Sequence, residues 1–183
     1  MKLLDAVNII LRRIGEAEVT GLQVPYPTVT LARAALEQVR IDLLVEGWYF
    51  NTFQWRNLLP NQRGRIEVPT EVLVVYPHST KYIHAGKYIR HAETGEHVDT
   101  AVVAKVIVDV PFEELPVTAQ QYIAARAAYD VYTQDFGADG TSERLIQEAY
   151  QHYSNLGAQH TNSRKHNARQ RLQWKRIQVG RYN

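Results

Sequence analysis

The run PFEELPVTAQQYIAARAAYDVYTQDF, from Pro111 to Phe136, leaves little choice of structure. Pro111, the acidic pair Glu113 and Glu114, and Pro116 mark a break followed by a helix start. Proline suits a first helical position, and carboxylates suit the N–H-rich end of the macrodipole. Beyond them Tyr122, Ala125, Tyr129, Tyr132 and Phe136 recur at helical spacing, with Ile123, Ala127 and Val131 alongside. So wide an apolar stripe predicts a helix over 116–136 lying on a core, ended by Gly137. Ala124, Ala125, Ala127 and Ala128 allow a neighbouring backbone to come close.

The rest of the chain reads outward from that helix. Leu3, Val7, Ile10 and Ile14 share one face of a short helix over 3–14, closed by Gly15. Residues 15–27 read as loop, and Thr28 or Thr30 is positioned to cap a helix over 28–46. Its face is Val29, Ala32, Leu36, Val39 and Leu43, and Gly47 stops it. From Trp48 the helical period is lost, and WYFNTFQWRNLL reads as an extended segment with aromatics on both sides. Turns at 61–64 and 93–96, a hairpin around Ala85-Gly86, β-rich runs at 66–68 and 72–76, and a strand over 101–110 complete a β insertion spanning 48–110. Thr141 or Ser142 then caps a helix over 141–157, with Leu145, Ala149, His152 or Tyr153, and Leu156 as its apolar face. The expected fold class is α+β: an antiparallel helical bundle with a small inserted β-sheet region and an extended basic C-terminal tail. The expected organisation is one domain over 1–160 and a basic arm over 161–183.

Charge separates these two parts. The net charge of +2 divides into a body of −5 and a tail of +7. The tail residues are Arg164, Lys165, Arg169, Arg171, Lys175, Arg176 and Arg181, interleaved with Trp174 and Tyr182, with no Asp or Glu. Such asymmetry predicts a segment that meets something acidic. With few apolar anchors, it reads as unable to order itself alone and as able to fold on a partner. Three readings stay open: a solvated terminus, a protein-docking arm, or direct nucleic-acid contact through phosphate pairing and stacking. The chain has no cysteine, which excludes disulfides and thiolate metal sites. The N-terminal apolar run is interrupted by Asp5 and Asn8 and does not read as a signal peptide. No window approaches a transmembrane span, so the expectation is a soluble intracellular protein.

No phosphate loop, nucleophile elbow or zinc-protease motif is present in the sequence. His78, His84, His91 and His97, with Glu93 and Glu96, are conceivable metal ligands, but neither HxH nor HxxxH spacing occurs. Exposed hairpin and loop positions explain them better. Glu113 and Glu114 are adjacent on an extended segment and point apart, which fits helix-start electrostatics better than acid–base chemistry. No catalytic, cofactor-binding or metal-binding residue is assigned. Trp48, Phe50, Phe53 and Trp55 cannot all be buried in a small sheet, and they are candidate contacts with other subunits.

Four stretches together resemble a known family. They are Asp5-Ala6-Val7-Asn8-Ile9-Ile10-Leu11 with Ile14-Gly15-Glu16, then Gly47-Trp48-Tyr49-Phe50-Asn51, then Leu58-Leu59-Pro60, and finally Phe112-Glu113-Glu114-Leu115-Pro116 with Tyr122-Ile123 and Ala125-Arg126-Ala127-Ala128. Their order and spacing are similar to those of the tail tubular protein A family, the head-to-tail adaptors of short-tailed bacteriophages. The resemblance covers residues 5 to about 136 and leaves the tail unmatched. It implies a structural virion protein of the tail, assembled in the host cytoplasm, not an enzyme and without cofactors. It implies a homo-oligomeric ring, typically twelvefold, between the portal protein and a tail nozzle of the tail tubular protein B kind, with genomic DNA passing through and no membrane contact. The helices would form the ring, and the β part would face nozzle and neighbours. By charge, the expected portal- or neighbour-docking residues are those of the tail, Trp174 included. The rivals are a cell-envelope-degrading tail hydrolase and a DNA-binding module acting through the basic tail.

Overall fold

A computed structural model describes residues 1–179, with side chains to residue 165. Along the chain lie α1 (Leu3–Arg13), α2 (Pro27–Val45), β1 (Thr52–Leu58), β2 (Val72–Pro77), β3 (Tyr82–Ala85), β4 (Tyr88–His91) and β5 (Val102–Val108). A 3-10 turn (Phe112–Glu114), α3 (Val117–Phe136) and α4 (Gly140–Val179) follow. The mixture of helices with small antiparallel sheets is an α+β fold. It divides into two units, one of residues 1–40 with the chain from Phe112 on, the other Ile41–Pro111. The β-bearing unit thus begins inside α2.

In the first unit, α1 and α4 both pack on α3. The buried face of α3 is Ala119, Ile123, Ala124, Ala127, Ala128 and Val131, with Ala125. This corrects the expected stripe of tyrosines. Small side chains let two helices approach one backbone closely, and the larger rings are left at the flanks. Tyr122 is half-buried, 5.2 Å from the Tyr153 ring. Tyr132 keeps its hydroxyl at the surface, where it donates to Asp139 at 2.7 Å. Phe136 is 61% exposed. Gln120 is buried on α3, and its amide donates to the carbonyls of Phe112 (2.9 Å) and Glu113 (3.3 Å), fastening the 3-10 turn to the helix.

Two helix starts differ from expectation. Helix α2 begins with Pro27 in its first position, and the Tyr26 carbonyl accepts from the N–H of Val29 and Thr30. Thr28 instead donates to Glu16 at 3.0 Å. Helix α4 is capped by Asp139, whose Oδ1 accepts from the N–H of Thr141 (2.9 Å) and Ser142 (2.8 Å). Ser142 Oγ in turn accepts from the Asp139 N–H, so both ends of this box are satisfied. Helix α4 also passes through Gly157 instead of ending there. The reason is propensity: Ala, Gln, Arg, Lys and Leu dominate after 157, and no proline interrupts them. Within the helix Thr161 Oγ1 donates to the Gly157 carbonyl at 3.0 Å.

In the second unit, three antiparallel strands run in the order β1-β5-β2, and β3 and β4 form a hairpin across Gly86-Lys87. Ile66, Val68, Val75, Ile89, Val98, Val102, Ala104 and Val106 form its core. The strand expected from Trp48 starts only at Thr52, because residues 48–51 turn. Gly47, at φ +81°, enters that turn, and a Cβ on it would lie 2.8 Å from Ile107 Cδ1. The Asn51 side chain accepts from the Trp48 N–H (2.8 Å) and donates to the carbonyls of Leu44 (2.9 Å) and Val108 (3.2 Å). The turn is therefore tied at once to the end of α2 and to β5.

Candidate functional site

Strand β1 lies at the edge of its sheet, and residues 53–57 along it are exposed. Phe53 pairs with Val106 and Arg56 with Ala104, so β1 spends one more residue than β5 over the same interval. This is a β-bulge, which bends a strand and re-aims its side chains. The extra length is absorbed at Trp55, the one non-glycine described residue with positive φ, at +58°. That conformation costs an L-residue about 1–2 kcal/mol. Large side chains rarely bear it without a reason. The indole is 54% exposed, and its edge-on partner is the His78 ring at 4.7 Å.

Two cation–ring pairs lie on opposite faces of the sheet: Phe53 and Arg56 pair with the inward Val106 and Ala104, and Tyr76 pairs with the outward Lys105. The Arg56 guanidinium sits 5.0 Å from the centre of the Phe53 ring, and the Lys105 ammonium 5.0 Å from that of Tyr76. Phe53, Tyr76 and Val103 are exposed by 40%, 51% and 38%. Exposed aromatics stacked with cations, on a strand edge blunted by a bulge, suit side-chain-mediated docking better than strand addition. Of the four expected contact aromatics, Phe53 and Trp55 are exposed on β1. Trp48 is buried, with its indole N–H donating to the Leu43 carbonyl at 2.8 Å. Phe50 is half-buried, edge-on to Tyr49 at 5.2 Å. Tyr76 on β2 and Val103 and Lys105 on β5 lie outside that expectation, and alternation along β5 is the signal for the outward Val103 and Lys105.

The first unit offers two further surfaces. One is a cavity of about 430 Å³ with Leu3, Leu36 and Phe112 as apolar lining and Thr30, Arg33 and Glu37 about it. The other is the far part of α4. Its last buried residue among those described is Leu156, and Arg164 and Lys165 are exposed. Thr118 donates to Gln159 at 2.8 Å, near where the packed part ends. Arg169, Arg171, Trp174, Lys175 and Arg176 continue the same helix with their side chains outside the described ones, and Arg181 lies outside the described residues.

The titratable groups singled out by sequence have structural settings. Glu113 Oε1 accepts from the Leu3 N–H at 3.2 Å, so its carboxylate serves the start of α1 instead of α3. His91 packs on Tyr82 and His97 on Tyr88, with ring centres 5.2 Å and 5.0 Å apart. Burial, then the charges of Arg65 and Arg90, lower the His97 pKa. Among the described residues no group of three His, Asp or Glu is placed to hold a metal ion. No described helix is long and apolar enough to cross a membrane. Glu148 on α4 accepts from Arg13 of α1 at 2.7 Å, and those hydrogen bonds hold its carboxyl below the usual range.

A family model described as tail tubular protein matches residues 4–166. The tail tubular protein A of Klebsiella phage KP34 is 31% identical over 185 residues, covering 100% of this chain and 99% of that relative.

Proposed function

We propose, because the chain belongs to the tail tubular protein family and is therefore a structural protein of the phage tail, that it is the adaptor subunit of a ring joining portal to nozzle. Genomic DNA passes through the ring, which is twelvefold when assembled. The protein acts by geometry and catalyses no reaction. Identical copies meet through unlike surfaces, and the ring closes when the rotation per copy divides a full turn. The observation that carries this reading is the far part of α4. A helix with no described buried residue after Leu156 continues to Val179 through a run of arginines and lysines. Such an arm carries charge for an acidic partner. We assign it to the portal or to an adjacent adaptor, and the exposed β1 edge with Phe53 and Trp55 to neighbours and nozzle.

Light scattering tests this on the full chain, alone and with portal rings of the same phage. The expected outcome is a fixed number of adaptors on each portal ring. A chain truncated after residue 160 keeps its fold and loses docking; undiminished portal binding by that chain removes the arm from the mechanism. A DNA-gripping arm would instead show log affinity for duplex falling with log salt at a slope of about −6.

A further inference from the structure

We infer that Phe136 of one copy seats in the α2 cavity of the next copy, with Asp135 beside it paired to Arg33. This rests on the ring reading above and names one contact between neighbouring copies. The cavity floor is apolar, formed by Leu3, Leu36 and Phe112. Its rim carries one cation too many. Both carboxylate oxygens of Glu37 accept from Arg40, at 2.9 and 2.7 Å. Arg33 is exposed, makes one long hydrogen bond to the Leu22 carbonyl (3.5 Å) and has no ion pair among the described residues. By charge, the fitting occupant is an apolar group with a carboxylate next to it. The end of α3 presents that combination. Phe136 is 61% exposed, and its ring is already ordered against that of Tyr132, 5.0 Å away. Asp135 is exposed in the last turn of α3, which holds no basic residue, and it has no ion pair among the described residues. A carboxylate there opposes the helix dipole, and a cation brought to it relieves the conflict. Across the turn into α4, Asp139 and Glu143 outweigh Arg144, so the surroundings of Phe136 are acidic.

Cavity and Phe136 lie at opposite ends of α3 within one unit: Phe112 precedes its first turn, and Phe136 is its last residue. The helix has 20 residues and is about 30 Å long, so no copy can fill its own cavity. The contact is therefore heterologous and runs head to tail from copy to copy, as a ring requires. The phenyl ring supplies apolar burial, and the ion pair at its edge selects the surface it meets.

Charge reversal tests the pair, since both side chains are exposed and neither change breaks a described ion pair. Arg33→Glu and Asp135→Arg are each assembled on portal rings of the same phage and followed by sedimentation, with thermal melts to check folding. Each should fold as the parent does, yet need about tenfold or more higher concentration to form the adaptor ring, because like charges then meet. A one-to-one mixture of the two variants should assemble close to the parent's concentration. In the mixture each reversed carboxylate meets a reversed arginine on the next copy, and each unchanged pair also meets, an alternation that an even-numbered ring accommodates. No such recovery follows if Arg33 and Asp135 act within one copy or on the portal. Full assembly of either variant alone, or a mixture no better than its components, overturns the inference and leaves the ring reading intact. Failure of the parent chain to form rings at all takes down the ring reading, and this contact with it. Phe136→Ser is the second test, at a ring the fold leaves exposed. It should keep the parent's melting point and again need about tenfold or more higher concentration to assemble. Unimpaired assembly of Phe136→Ser overturns the inference.

Discussion

Asn51 is fully buried, and its side chain uses both amide hydrogens and its oxygen on the backbone of three segments. It holds Trp48, the last turn of α2 and the end of β5 in fixed relation, and its own carbonyl accepts from the Val108 N–H at 2.9 Å. Asn51→Ala therefore strands two buried carbonyls and one N–H, and should destabilise the second unit by about 2–4 kcal/mol in denaturant melts. Asn51→Asp is the sharper variant. A carboxylate facing carbonyl oxygens has no proton to donate, so at neutral pH it should be no better than alanine. Its folded-state pKa is raised above the unfolded value of about 3.9. Its stabilising form is thus fully present below that pH and lost as pH rises through the folded value. Measured against Asn51→Ala, the Asp variant should gain stability on acidification; parallel pH profiles for the two would show that these hydrogen bonds do not matter. The Gly47-Trp48-Tyr49-Phe50-Asn51 run was visible in the sequence as a motif. Its job was not, because polar satisfaction of a buried turn depends on Val108, far along the chain.

At the scale of elements, periodicity locates the four described helices, turn chemistry locates the hairpin, and local signals fail at the starts of α2 and α4 and at the end of α4. The cap of α4 is Asp139, one residue before the helix starts, and the rival hydroxyl of Ser142 is its reciprocal partner. Along α3 two stripes were legible, one of tyrosines and one of alanines with Ile123 and Val131. Packing against two helices selects the smaller, which no single-helix pattern can reveal. Polarity hides the length of α4: Gly157 and the polar composition point to an end, while good helix formers follow. Gly157 stands inside the helix, and a Cβ there meets nothing within 4 Å. Gly157→Ala should then stabilise α4 by about 0.5–1 kcal/mol. The thermal transition containing α4 should rise by about 1–4 °C. An unchanged or lower midpoint would mean that the glycine serves a bend or a close approach absent from the isolated chain.

For the whole molecule, the division of charge and the division of surface predict different responses to salt. The arm is rich in lysine and arginine, and its attraction to an acidic partner works across solvent, where the Debye length falls from about 10 Å at 0.1 M to about 3 Å at 1 M. The exposed β1 edge assigned to neighbours presents the apolar rings of Phe53 and Trp55, and burial of apolar surface is not weakened by added salt; sulfate strengthens it. Raising salt from about 50 mM to about 500 mM should therefore lower adaptor–portal affinity more than tenfold. Adaptor rings formed beforehand should hold together through that apolar contact after they leave the portal. The measurement is the portal-bound fraction and the mass of the released adaptor, both by sedimentation at each salt concentration. If the adaptor leaves as single copies instead of rings, charge closes the ring as well as docking it. Composition alone could raise this question, since a basic tail stands out in any sequence, but it could not pose the comparison. That needed the bulge at Trp55, a consequence of β1 and β5 pairing one residue out of step.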